Sequence, residues 1–304
     1  MKKAEKSRKK IYKQRGFKQA LPFLLPASIL LFVFLIIPFF FAFYLSFTNT
    51  RLISPIPPRF VGFSNYVRML GDDLFGKALL NNFYFVAIVV PLQTIFALFL
   101  AILVNQKIKG STTFRTIYFL PTVTTMVVVA VIWTFLYHPE GTINAILSFI
   151  TFGKWEPIDL LNTERIAFPA IMLLSIWQGV GFQMLIFLAG LQEIPESLYE
   201  AATIDGANKW KQFIYITLPQ LKNTSIFVII STTILAFKLF DQVYIMTSGG
   251  PNYSTYTVML HIYNQGFRMQ NVGYASSLTV IFFLIILGFS LIQRIFLREE
   301  REVF

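Results

Sequence analysis

Long apolar runs without charge are the feature that most restricts what this sequence can fold into. A bilayer core about 30 Å thick needs roughly 20 mostly apolar residues per spanning helix. Five runs satisfy this requirement with no charged residue: Gln19–Thr50, Ala78–Gln106, Thr116–Pro139, Ile166–Gln192 and Met269–Gln293. A sixth run, Asn223–Thr247, has only Lys238 and Asp241. Only 13% of the 304 residues are charged, against about 25% in soluble domains, so lipid must be part of the solvent.

The runs predict an all-α, polytopic membrane protein. We expect six transmembrane helices, roughly at 20–47, 80–105, 114–137, 168–191, 223–247 and 272–297. With the N-terminus inside, the inner segments carry 18 Lys and Arg residues and the outer segments 7. This bias predicts that both termini are cytoplasmic. Most of the net charge of +11 is then an orientation signal, and a basic tail that binds nucleic acid is the alternative.

Six spans in this orientation give a simple domain organisation. A basic cytoplasmic tail, a transmembrane domain and a short cytoplasmic tail follow one another at 1–19, 20–297 and 298–304. Three long loops lie outside, at 51–77, 138–165 and 248–271, and one long loop, 193–222, lies inside.

The long inner loop predicts two short helices. Pro195 or Ser197 opens the first, and Gly206 ends it because glycine readily adopts positive φ at the C′ position. The second begins at about Asn208, and Pro219 bends the chain into the fifth span. One interpretation is an ordinary loop on the membrane face. The other is a docking element for a cytoplasmic partner, because a partly apolar hairpin in water is costly unless covered.

The fourth and fifth spans contain side chains that could line a path for a hydrophilic solute. These are Trp177, Gln178, Phe182, Gln183, Thr232, Lys238, Asp241 and Tyr244. Gln178 and Phe182 are four residues apart and share a helix face. For the uncharged members, contacts between helices are the alternative. A buried charge costs about 2.5–3.5 kcal/mol on insertion scales, so Lys238 and Asp241 mark either a cavity or an ion pair on one helical face.

Motifs for nucleotide binding and catalysis are absent from the sequence. No G-x-x-x-x-G-K-[ST] motif occurs, so we expect ATP and Mg²⁺ on another polypeptide and no cofactor on this chain. The chain has no Cys, no H-E-x-x-H and no G-x-S-x-G. Neither His138 nor His261 has a carboxylate within four residues that would orient it, apart from Glu140 near His138. No metal site is expected. An ion- or proton-coupled secondary transporter remains an alternative, and an intramembrane enzyme is a weaker one.

The inner loop carries a recognisable motif. The segment Glu200-Ala-Ala-x-x-Asp205-Gly-Ala, followed by Leu218-Pro219, resembles the EAA loop of permease subunits of bacterial ATP-binding-cassette (ABC) importers. Further segments, Gly62-Phe-x-Asn65-Tyr and Thr247-Ser-Gly-Gly-Pro251, are similar to the carbohydrate-uptake branch, the maltose- and multiple-sugar-type permeases.

The resemblance implies a type I ABC importer permease fold in the bacterial inner membrane. It implies four kinds of partner: a second homologous permease subunit, two cytoplasmic ATPase subunits, an extracytoplasmic solute-binding protein and a sugar substrate. Glu200 is expected to pair with a basic residue of the ATPase. The expected coupling residues are Glu200, Ala201, Ala202, Asp205, Gly206, Ala207, Leu218 and Pro219.

The resemblance also places sugar contacts, which it puts at Phe182, Thr232, Ala236 and Leu239. The last two are apolar, where a maltose site would have amides. Two explanations stay open: the second permease subunit holds most of the sugar, or Lys238 attracts an acidic sugar or sugar phosphate.

Overall fold

The computed structural model describes residues 22–55, 57–106 and 110–297. The predicted tails 1–19 and 298–304 lie outside the described residues. Regular structure within these ranges is helical apart from one isolated bridge between Thr48 and Phe60. The described helices are α1 (Pro22–Leu45), α2 (Ser64–Leu70), α3 (Asp73–Asn105), α4 (Ser111–Val123), α5 (Met126–Tyr137), α6 (Thr142–Ile150), α7 (Glu164–Gln192), α8 (Glu196–Ile204), α9 (Lys209–Gln212), α10 (Leu218–Gln220), α11 (Lys222–Phe237), α12 (Asp241–Met246), α13 (Val258–Tyr263) and α14 (Val272–Phe296).

The prediction of an all-α polytopic fold is confirmed. Within the described residues, five segments are long and apolar enough to cross a membrane: α1, α3, α7, α11 with α12, and α14. The pair α4 and α5 is a sixth if the two helices count as one span.

The predicted continuous third span is wrong, because α4 and α5 meet at an angle of 97°. Thr124 and Thr125 between them have extended backbone, with ψ of 138° and 139°. Pro121, inside α4, removes one helical hydrogen bond. The run of β-branched residues that follows it further lowers helix propensity.

The predicted continuous fifth span is also interrupted, because α11 ends at Phe237 and α12 begins only at Asp241. At the break some backbone carbonyls lose their helical partners, and side chains distant in the sequence donate hydrogen bonds to them. The Asn82 amide donates to the Phe237 carbonyl at 2.9 Å, and the Thr257 hydroxyl donates to the Leu239 carbonyl at 3.1 Å. A broken helix at membrane depth is tolerated where such partners satisfy its backbone.

The chain forms two compact units, and the first contains the described parts of 1–70 and 265–281. Its packing explains the Gly62-Phe-x-Asn65-Tyr motif. The Asn65 amide donates to the carbonyls of Ser46 and Thr48, at 2.8 Å each, just after α1 ends. The Arg68 guanidinium lies 4.0 Å from the ring centre of Tyr274 and so fastens α2 to the start of α14.

The second unit contains the described parts of 71–264 and 282–304. Its centre is the packing of α3 and α4 against α7 and of α11 against α3. Small residues allow this close approach: Ala97 and Ala101 of α3 are completely buried, and a side chain at Gly181 would collide with the Tyr118 carbonyl of α4. Small residues at helix contacts are typical of membrane bundles.

Candidate functional site

The first candidate site is the hairpin formed by α8, α9 and α10. Its turn is fixed by Gly206, which has φ of +77°. The Gly206 N–H donates to the Thr203 carbonyl at 3.1 Å, and the Ala207 N–H donates to the Ala202 carbonyl at 2.8 Å. These two bonds form the Schellman motif that satisfies the last carbonyls of a helix. The predicted helix end at Gly206 is confirmed.

The second arm of the hairpin begins where the sequence predicted. The Asn208 side chain caps α9 by accepting a hydrogen bond from the Lys211 N–H at 2.9 Å. A π-helical turn, Phe213–Thr217, connects α9 to α10. The predicted bend at Pro219 is misplaced. Pro219 lies within α10, which directly continues the π-helical turn, and the helix is interrupted two residues later, at Leu221.

Side-chain hydrogen bonds hold the two arms of the hairpin together. The hydroxyls of Tyr199 and Thr217 lie 2.9 Å apart. The buried Gln212 amide donates to the Thr203 hydroxyl at 2.9 Å and to the Ala207 carbonyl at 3.3 Å. The hairpin is therefore a fixed shape and can transmit a displacement from one arm to the other.

The hairpin exposes large apolar side chains and a carboxylate without a partner among the described residues. Ile204 is 87% exposed and Trp210 67% exposed. Glu200 is exposed and forms no hydrogen bond or ion pair with any described residue. Most of the predicted coupling residues are exposed: Glu200, Ala201, Asp205, Gly206, Leu218 and Pro219. Ala202 and Ala207 are partly buried.

The second candidate site is a cavity of about 430 Å³ inside the second unit, at the break between α11 and α12. Six of the eight predicted pathway residues line its wall: Gln178, Phe182, Gln183, Thr232, Lys238 and Asp241. Ala236 and Leu239 also line it. The wall therefore has apolar side chains at the two positions where the resemblance to maltose permeases leads one to expect amides.

The other two predicted pathway residues, Trp177 and Tyr244, are not part of this wall. The Trp177 ring packs 5.3 Å from the ring of Trp133 in α5. The Tyr244 ring lies 5.4 Å from Phe240 and 5.3 Å from Tyr263. Tyr244 thus stacks on Phe240, which does line the cavity.

Several polar wall residues were missed in the sequence. Gln93 lies on the wall beside Gly179, where any side chain would collide with the Gln93 amide. Ser175 was missed as well: its hydroxyl accepts a hydrogen bond from the amide of Gln242 at 3.1 Å, and both residues line the cavity. An amide in the middle of the charge-free run of α3 was the available signal for Gln93, but a search for charged residues does not detect it.

The polar wall keeps acceptors and charges without partners. The Gln183 amide donates to the Thr232 hydroxyl, and its oxygen has no hydrogen-bond partner within the described residues. Lys238 follows the end of α11 and Asp241 begins α12; both are exposed on the wall, and no described ion pair joins them. Of the two alternatives from the sequence, the described residues show the cavity wall and not an ion pair on one helical face.

His261 has a carboxylate partner that its sequence neighbours do not reveal. It is 1% exposed, its Nε2 lies 3.0 Å from Asp72 Oδ2, and its Nδ1 lies 3.2 Å from the Tyr256 hydroxyl. Asp72 also caps α3 by accepting from the Phe75 N–H at 3.1 Å. The pair ties α13 to the start of α3, at a place away from the cavity wall, and so fastens two helices.

Comparison with known proteins establishes the family. Residues 74–302 match the family described as "binding-protein-dependent transport system inner membrane component", and the chain belongs to it. This is a family of transport permeases and not of enzymes. The family prediction based on the loop motif is confirmed.

Relatives support the same class over almost the whole chain. The probable ABC transporter permease protein YurN of Bacillus subtilis is 35% identical over 92% of this chain and 96% of its own length. The lactose transport system permease protein LacF of Rhizobium radiobacter is 35% identical over 92% of this chain and 94% of its own. A chain of a bacterial ABC transporter that imports the acidic polysaccharide alginate has the same fold, with a TM-score of 0.81, 23% identity, and coverage of 96% of this chain and all of that one.

Proposed function

We propose that this chain is one of two permease subunits of an ATP-driven importer that takes up a sugar or oligosaccharide across the bacterial inner membrane. It forms half of the translocation pathway and receives its motion from a separate ATPase subunit. The observation that carries the proposal is the internally hydrogen-bonded hairpin, which exposes Ile204, Trp210 and a Glu200 carboxylate without a described partner.

The hairpin supports coupling for a physical reason. Exposed apolar surface of this kind marks a site of protein interaction. Ile204 and Trp210 present such surface on a frame held by Gln212 and Tyr199. A basic residue of the ATPase would pair with Glu200, and the seated hairpin would then carry the rigid-body movement of the ATPase into α7 and α11.

The cavity supports a sugar as the substrate class. Its volume of about 430 Å³ lies within the range of about 300–1,000 Å³ typical of small-molecule sites. Phe182 offers an aromatic face on which a sugar ring can stack, and Gln93, Gln178 and Gln242 offer amides for its hydroxyls. The lactose permease named above is similar in sequence to this chain over nearly its full length.

The remaining partners follow from the family and from α1. The family name refers to a binding protein, which we propose delivers the sugar to the outer loops, notably 248–271. No residue of the apolar window of α1 is buried, which is consistent with a helix that packs on a second permease subunit or faces lipid. ATP and Mg²⁺ belong to the two ATPase subunits, because this sequence has no P-loop. No nucleic acid partner is proposed.

Reconstitution separates this function from a secondary transporter. We expect the chain, assembled with a second permease, the ATPase subunits and the binding protein in liposomes, to take up labelled sugar only with ATP and Mg²⁺ on the ATPase side. A non-hydrolysable ATP analogue serves as the control and should stop uptake. Uptake by the chain alone, driven by a proton or sodium gradient, would contradict the proposal and favour the secondary transporter.

Lys238 is expected to influence which sugars pass. It is an exposed cation on the cavity wall without a described acidic partner, so it can attract the carboxylate or phosphate of an acidic sugar. We expect Lys238→Ala to lower uptake of an acidic sugar, relative to a neutral one of similar size, by about tenfold, since a hydrogen bond to a charged group contributes about 1.5–3 kcal/mol. Lys222→Ala, at an exposed lysine outside the wall, is the matched control. Unchanged relative rates would assign sugar selection to the second permease subunit.

A further inference from the structure

The segment between α5 and α7 contains a short helix whose outward face is apolar. No charged residue occurs from Gly141 to Gly153. Within α6, Ile146, Phe149 and Ile150 recur at helical spacing on one exposed face. Phe149 is 83% exposed and the following Phe152 is 94% exposed. In water this face would be an apolar patch without a cover.

The orientation of this face is fixed by one buried amide. Asn144 is 1% exposed, and its Nδ2 donates to the carbonyls of His138 at 2.9 Å and Ile158 at 3.0 Å. Its Oδ1 accepts from the Trp155 indole N–H at 2.9 Å and from the Ile158 N–H at 3.2 Å. Because Asn144 fastens both flanks of α6, the opposite face must point away from the protein.

The end of α6 directs one further aromatic side chain outward. Phe152 has φ of +53° and Gly153 has φ of +78°. A bulky residue rarely adopts positive φ, because its Cβ crowds the following carbonyl. The backbone accepts this conformation, and the result is a fully exposed phenylalanine beside Lys154.

The position of α6 indicates what covers its apolar face. It lies between the end of α5 and the start of α7 and packs against α5. The Tyr137 hydroxyl at the end of α5 donates to the Ala170 carbonyl of α7 at 2.8 Å, so both neighbours are membrane helices near their ends. Phe135 of α5 and Leu173 of α7 are also exposed apolar side chains. Because α6 connects the ends of these two helices, we expect its apolar face at the level where they leave the membrane.

We propose that α6 with Phe152 is an interfacial anchor that lies in the headgroup region of the bilayer, on the side opposite the hairpin. Aromatic residues concentrate at this depth, and amphipathic helices lie in the interface plane with their apolar face toward the acyl chains. The anchor holds the outer ends of α5 and α7 at a fixed depth in the bilayer. The proposal depends on the membrane-spanning family fold and not on the transported substrate.

The absence of Cys makes a direct depth measurement possible. Phe149→Cys and Phe152→Cys, each carrying a nitroxide, would be compared with Glu156→Cys on the polar, exposed part of the same loop. The protein is the intact transporter in vesicles of phosphatidylethanolamine and phosphatidylglycerol. We expect oxygen to relax the first two labels severalfold more strongly, relative to a water-soluble nickel complex, than it relaxes the Glu156→Cys label.

Two results would overturn the anchor. Nickel access at Phe149→Cys and Phe152→Cys equal to that at Glu156→Cys would place the face in water. Protection from both oxygen and nickel would show that a protein partner covers it. All three positions have exposed side chains, so the substitutions leave the packed face around Asn144 intact.

Discussion

Gly206→Pro is expected to abolish sugar uptake while the chain still inserts in the membrane. Gly206 has φ of +77° and its N–H donates to the Thr203 carbonyl. Proline fixes φ near −65° and has no N–H, which costs about 3 kcal/mol or more. If the coupled conformation of the hairpin loses this free energy, its population falls about 100-fold, since each 1.4 kcal/mol corresponds to a factor of ten. Uptake and substrate-stimulated ATPase activity in liposomes, measured together, test the prediction.

Gly206→Asn is the matched control, because asparagine tolerates the left-handed region far better than other side chains. No atom lies within 4 Å of a Cβ at Gly206, so steric collision does not complicate the comparison. We expect Gly206→Asn to retain most of its uptake. Normal uptake by Gly206→Pro would show that the shape of this turn is not needed, and coupling through the hairpin would be wrong.

Gly181→Ala is expected to destabilise the protein, although alanine normally stabilises a helix. A Cβ at Gly181 would collide with the Tyr118 carbonyl oxygen and lie 3.0 Å from the Phe119 Cα, both in the backbone of α4. Overpacking of this kind costs about 1–3 kcal/mol and occasionally more. Because a backbone cannot rotate away, we expect a cost at the upper end, seen as a lower thermal unfolding midpoint in detergent and a loss of uptake.

Gly288→Ala is expected to change the stability of the same protein in the opposite direction. Gly288 lies inside α14, and a Cβ there would meet no atom within 4 Å. Alanine should then stabilise by the helix propensity difference of about 1 kcal/mol. Equal unfolding midpoints for Gly181→Ala and Gly288→Ala would mean that α4 is not held against α7 in the membrane.

The hairpin turn was predictable from the sequence because its determinants are local. Gly206 at C′ and Asn208 at the N-cap act on backbone groups a few residues away. The apolar runs are also local features, because each is recognised by comparing its own length with the thickness of the bilayer core. Pro121 and the threonines after it were also visible, and their combined effect on the third span was underestimated.

The sequence by itself determined that the protein lies in a membrane, that it is helical and how the hairpin turns, because each depends on residues close together in the chain. Only the tertiary structure decided where the fifth span breaks and which polar groups meet. Nothing in the segment from Phe237 to Asp241 is a glycine or proline. The break exists because Asn82, from a helix 155 residues away, supplies a donor for a carbonyl that the helix leaves free. Breaking a helix in lipid is costly without such a donor, so the packing of distant helices determines the cavity and its charged wall.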